Sequence, residues 1–176
     1  ALFVPLMVSL LTALFIGTDY SDGTMRNKLI AGHVRRKIYV ANLISNVQAS
    51  FTLCVAFMLS HVCVGTPLLG WFVSDAHMLM FYVLVTFTMT AACTAIFTLI
   101  SMLCSNKAYS VAGCILVIFM LLQVYLFLNE FLPGGQMLRL SSMNAKHLGR
   151  YAIYNSIIFI FTTSCGILIF KRKDLK

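Results

Sequence analysis

The stretch HMLMFYVLVTFTMTAACTAIFTLISMLC, from His77 to Cys104, decides the fold. It contains no Asp, Glu, Lys or Arg. Crossing the hydrocarbon core of a bilayer as a helix takes about 20 apolar residues at about 1.5 Å of rise each. This run is long enough to cross and too long for a buried core helix. Its apolar character is continuous, whereas strands of a membrane barrel alternate between lipid-facing and lumen-facing residues. Comparable runs lie on either side, at Ala1–Thr18, Ile38–Gly65, Ala108–Leu128 and Tyr151–Phe170. The expected fold is therefore all-α, a polytopic transmembrane helical bundle of five spans forming a single domain over residues 1–176. Composition agrees: 60% of the residues are hydrophobic and 10% charged, with a mean hydropathy of +0.92. Soluble domains carry about 25% charged residues to keep their surfaces hydrated, so lipid is the expected solvent.

The net charge of +8 is informative through its placement. Threading the runs alternately puts Arg26, Lys28, Arg35, Arg36, Lys37, Lys107, Lys171, Arg172, Lys173 and Lys176 on one side. Only Arg139, Lys146 and Arg150 fall on the other. Positive loops stay in the cytoplasm, so residues 19–37 form a cytoplasmic loop, residues 66–76 an external turn, residues 129–149 an external segment, and the C-terminus is cytoplasmic. Topology thus accounts for the basic residues better than a nucleic-acid surface does. Tyr20, Tyr39, Trp71, Tyr151 and Tyr154 fall near the expected interfaces, where amphipathic rings are favoured. Ala1 already stands inside an apolar run, without a charged flank, which predicts a further helix upstream and six spans in the complete fold, with both ends cytoplasmic.

The spans carry little chemistry. They hold no acidic residue, lysine or arginine, the groups that serve as proton relays and ion sites within membranes. That counts against the alternative of a secondary transporter or channel working without ATP. No glycine is followed by lysine, so there is no phosphate loop, and any nucleotide energy has to come from another chain. Cys54, Cys63, Cys93, Cys104, Cys114 and Cys165 are scattered without a C-x-x-C pair, and no metal site is expected. His61, near the outer end of the second span, reads as interfacial rather than as a proton carrier. Span three carries Thr86, Thr90, Thr94 and Thr98 four residues apart on one helix face. Hydroxyl and small residues let helices approach and bond across an interface, so packing is preferred there over substrate contact. Gln123 and Asn155 are the stronger polar singletons, since each needs a partner in lipid. Thr90, Thr94, Gln123 and Asn155 are the candidate pathway or helix-packing residues.

The cytoplasmic loop is the most distinctive segment. It runs Gly17-Thr18-Asp19-Tyr20-Ser21-Asp22-Gly23-Thr24-Met25-Arg26-Asn27-Lys28-Leu29-Ile30-Ala31-Gly32. Ser21 or Asp22 can cap a short helix, and Gly32 can end it in a left-handed conformation. Met25 and Leu29, four apart, share one face. Two to three turns are marginal alone in water, so such a helix needs a surface to lean on.

This loop resembles that of type-2 ABC transporter permeases, the membrane subunits common in bacterial drug and peptide exporters. The family pattern is an acidic residue, Gly-Thr, a short basic and apolar helix, then a basic residue before the next span. Here these are Asp19, Gly23-Thr24, Arg26-Asn27-Lys28-Leu29-Ile30 and Arg35. The ending Phe170-Lys171-Arg172-Lys173-Asp174-Leu175 is similar to the family's usual C-terminus. The family's first helix and the large external loop after it have no counterpart in the sequence. The resemblance implies that the loop is a coupling helix docking on a separate ABC ATP-binding subunit. Asp19, Gly23, Thr24, Met25, Arg26, Lys28 and Leu29 would then form the ATPase-coupling element, with Met25 and Leu29 as apolar contact and Arg26 and Lys28 as polar rim. It further implies that ATP and Mg sit on that partner and that this chain is no enzyme and binds no cofactor directly. A second permease chain, identical or different, would complete the pathway in the inner (plasma) membrane. The expected cargo is a small amphipathic peptide or drug. A lipid-headgroup transferase, weighed on Asp22-Gly23 and Arg26, is disfavoured, because Asn27 stands where an arginine belongs and no later aspartate pair follows.

Overall fold

The computed structural model describes residues 3–65, 76–104, 106–124 and 148–172. The described residues are helical and include no strand. Helix α1 (Phe3–Ser21) leads through a turn to the short α2 (Thr24–Ile30). Helix α3 (Arg35–Ser60) ends in a π-helical turn, His61–Gly65. Helices α4 (Ala76–Leu103), α5 (Lys107–Val124) and α6 (Leu148–Arg172) complete the chain. Four of these helices contain segments long and apolar enough to cross a membrane: Val4–Ser21, Arg35–Val64, Met80–Leu103 and Gly149–Lys171. In α5 the apolar segment among the described residues is shorter, Lys107–Leu121. The external segment expected at 129–149 lies outside the described residues except at its end, as does the turn expected at 66–76.

Helix α4 is the hub. It packs against α6, α1, α3 and α5, while α1 also packs on α5 and α3 on α6. Two apolar clusters fill the bundle, one toward each end. The first joins Val4, Val8 and Ala13 of α1 to Val85, Met89, Cys93 and Phe97 of α4, with Cys114 of α5 and Tyr151 of α6. The second joins Ile16 of α1, Met25 of α2, Ile38, Tyr39 and Leu43 of α3, Ala95 and Met102 of α4, and Phe170 of α6. The second cluster therefore gathers the C-terminal ends of α1, α4 and α6 with the N-terminal end of α3. Successive long helices run in alternate directions, as threading from sequence requires. Lys107 starts α5 at this same end, so close to α1 that a Cβ at Gly17 would meet its backbone.

Polar and apolar groups are distributed inside out relative to a water-soluble bundle. Asn42, Asn46, Ser50, Thr94, Thr98 and Asn155 are buried. Phe15, Ile44, Phe119, Ile160 and Phe161 are exposed. Water would penalise such an exterior, and lipid removes the penalty while making buried polar contacts useful between helices.

Candidate functional site

The short helix α2 is held by its own sequence. Helix α1 continues through Ser21, three residues past its expected end, and this displaces the expected cap. Ser21 Oγ donates back to the Thr18 carbonyl at 3.0 Å, and the Asp22 N–H bonds to the same oxygen at 2.9 Å. Both residues close α1, so neither caps α2. The N-cap of α2 is Gly23, at φ 70° and ψ 8°, with no side-chain cap. That left-handed backbone turns the chain sharply and favours glycine. At the other end Gly32 adopts φ 83°, as expected. The Gly32 N–H bonds to Leu29 O and the His33 N–H to Lys28 O, the paired bonds of a Schellman ending.

A brace fastens α2 to α1. Asp19, on the last turn of α1, accepts from Thr24 Oγ1 at 2.8 Å and from Lys28 Nζ at 2.8 Å. Thr24 Oγ1 also lies 2.9 Å from the Asp19 carbonyl oxygen. Four of the residues singled out in the loop, Asp19, Gly23, Thr24 and Lys28, are thus one mechanical unit: a carboxylate, a turn and two donors. Tyr20 Oη adds a hydrogen bond to the Met102 carbonyl at 2.9 Å, tying the loop to the end of α4.

Met25 and Leu29 share a face, and that face is turned inward. Met25 is 2% exposed within the second apolar cluster, and Leu29 packs against the same cluster. The surface the short helix leans on is its own bundle. Met25 is therefore packed into its own bundle, and Ile30, which is 76% exposed, is the outward apolar residue of the helix. Arg26 and Asn27 are exposed beside it. Lys28, expected on the rim, is half-buried and committed to Asp19.

From Met25 a polar seam runs along the α3–α4 interface. Asn42 Nδ2 is 3.9 Å from Met25 Sδ. One turn on, Asn46 Nδ2 donates to Thr98 Oγ1 at 3.2 Å. Thr94 Oγ1 sits between the Thr90 carbonyl at 2.7 Å and Ser50 Oγ at 3.0 Å. Thr90 Oγ1 donates to the Thr86 carbonyl and lies 3.9 Å from Cys54 Sγ. The threonine face of α4 is thus used for helix packing, with the Thr86, Thr90 and Thr94 hydroxyls also bonding their own preceding turn. Its counterpart is Asn42, Asn46, Ser50 and Cys54, again every fourth residue, a pattern that sequence reasoning passed over inside an apolar run.

Asn155 lies apart from this seam. It is fully buried on α6, and neither amide atom has a hydrogen-bond partner among the described residues. Gln123 falls on the last turn of α5, and its side chain lies outside the described residues. His61 is exposed at the end of α3, edge-on to Phe57 at 4.5 Å between ring centres.

No family model, curated protein or solved structure matches this chain. The arrangement is a short helix locked to one end of an apolar bundle, with basic residues gathered around it. Arg26, Lys28, Arg35, Arg36, Lys37, Lys107 and Lys171 all belong to the end of the bundle that α2 occupies, while Arg150 begins α6 at the other.

Proposed function

We propose that this chain is the membrane-spanning permease subunit of an ATP-driven exporter, coupled through α2 to a separate ATP-binding chain. The observation that carries the reading is the double attachment of α2. The Asp19–Thr24–Lys28 brace joins it to α1, and Met25 joins it to the cluster shared by α3, α4 and α6. A loop that served topology alone has no use for such fastening. A helix that receives force needs it, because a push on a loose loop is absorbed before it reaches the bundle.

In this reading the end bearing α2 faces the cytoplasm, since its basic residues resist translocation. Closure of two ATP-binding subunits around ATP and Mg presses on Arg26, Asn27 and Ile30. The brace passes the displacement to α1, and Met25 passes it to α3 and α4. With α5 counted as a membrane crossing the bundle has five spans. Those are few helices to enclose a route, so the pathway runs between this chain and a second permease chain, identical or related. The cargo class is a small amphipathic peptide or drug.

The test is a vesicle assay of the chain with its co-purified ATPase, comparing Ile30→Glu and Arg26→Glu with wild type after topology has been verified. Both variants change exposed residues, so the bundle should fold normally. The expected result is at least a tenfold loss of transport and of stimulated ATP hydrolysis in Ile30→Glu, with a smaller loss in Arg26→Glu. Unchanged transport in both variants, or transport by the purified chain with no ATPase present, would overturn the proposal.

A further inference from the structure

A cleft opens between the first turn of α3 and the last turns of α6. It is lined by Arg36, Ser164, Ile167, Leu168 and Lys171 and encloses about 330 Å³. Two cations and a hydroxyl stand over an apolar wall. Among the described residues no carboxylate pairs with Arg36 or Lys171. Below the cations the wall continues as a stripe. Ile157, Phe161, Ser164, Leu168 and Lys171 are spaced four, three, four and three residues apart, which puts them on one face of α6. All five are exposed, Phe161 by 67% and Leu168 by 65%. From Lys171 to Ile157 the helix rises about 21 Å, slightly more than the roughly 15 Å depth of one leaflet's hydrocarbon.

We propose that this cleft binds an anionic phospholipid from the leaflet at the basic end of the bundle. The headgroup phosphate sits between Arg36 and Lys171, and an acyl chain lies along Leu168, Phe161 and Ile157. The chemistry fits a lipid better than a free phosphate, because the apolar stripe begins at the cations and continues to membrane depth. Basic pockets between spanning helices at this level are suited to such headgroups. The inference needs the chain to lie in a bilayer but does not depend on coupling to an ATPase.

The experiment uses the full chain in phosphatidylcholine nanodiscs doped with phosphatidylglycerol, with lipid retention counted by native mass spectrometry. Wild type is expected to retain phosphatidylglycerol preferentially. Arg36→Gln/Lys171→Gln should weaken that preference about thirtyfold, each cation near the surface contributing about a factor of five. Lys171→Gln alone should give about a fivefold loss. Lys37→Gln/Lys107→Gln, which removes the same net charge elsewhere on this end, should lower retention clearly less than the cleft pair does. Equal retention in the cleft variant, or equal loss in the control pair, would overturn the site. So would displacement of the lipid by millimolar inorganic phosphate, which would mark a simple anion site. Dependence of self-association, rather than lipid retention, on Arg36 and Lys171 would assign the cleft to a second copy of the chain and overturn it equally.

Discussion

The two faces of α3 bury polar groups in opposite ways. Toward α4, Asn46, Ser50, Thr94 and Thr98 meet one another at hydrogen-bonding distance, rung after rung. Toward α6, the Tyr39 hydroxyl is buried with no hydrogen-bond partner among the described residues, and α6 itself buries the Asn155 amide and the Thr163 hydroxyl in the same condition. Polar bonds set the register of α3 on α4. Shape sets the position of α6: the hydroxyl end of Tyr39 lies against Gly166, where a Cβ would overlap its phenol, and its ring meets Phe170 at 6.2 Å between centres. Lipid offers no hydrophobic drive between helices, so close packing and hydrogen bonds carry association. The first seam uses both, the second packing alone. An unpartnered buried group costs about 1–3 kcal/mol, which makes α6 the helix with most to gain from a new arrangement.

Gly166→Ala should break the second seam most severely. The added methyl overpacks a buried contact, a destabilisation of about 3 kcal/mol, measurable as thermal unfolding in detergent. Tyr39→Phe should recover part of that loss, because it removes both the overlapping oxygen and an unsatisfied group. Full additivity of the two changes would contradict the contact. Met25→Ala removes the anchor at the head of the first seam and should cost about 2 kcal/mol, with protease sensitivity rising first in residues 19–37. Asn155→Leu should move the other way, stabilising the bundle by about 1 kcal/mol because an orphaned amide is replaced by a side chain of similar size. A loss of stability on that substitution would mean that Asn155 is satisfied after all. Ser50→Ala should have the smallest effect, about 0.6 kcal/mol, as is usual for interhelical hydrogen bonds in membranes.

How legible each seam was in the sequence follows from the range of the interactions that build it. Apolar runs fix helices because every backbone group in lipid must be satisfied locally, and α3, α4 and α6 fall where those runs lie. The threonines of α4 were readable because their four-residue spacing is itself a local signal. Asn42, Asn46 and Ser50 carry the same spacing and could have been read as the matching face. The Tyr39–Gly166 contact could not, since it joins distant parts of the chain through shape alone. Within the loop, the left-handed Gly32 was legible from glycine's conformational freedom. The cap was not, because it depended on how far α1 continues, and that extension assigned Ser21 and Asp22 to α1. The amphipathic spacing of Met25 and Leu29 identified a face without saying what covers it. Their burial against Ile38, Tyr39 and Met102 is a tertiary outcome.

In the proposed coupling, α2 presents Ile30 to an ATP-binding partner while Met25 holds the helix to the bundle. The most direct measurement places a photo-crosslinking amino acid at position 30 and, separately, at position 44, where the exposed Ile44 of α3 faces outward from the bundle. Both proteins are irradiated in native membranes with and without ATP. The account expects position 30 to form an adduct with a protein containing a phosphate loop, in a yield that changes with ATP, and position 44 to label lipid. Adducts at position 30 with lipid only, or an ATPase adduct at position 44 in equal yield, would contradict it.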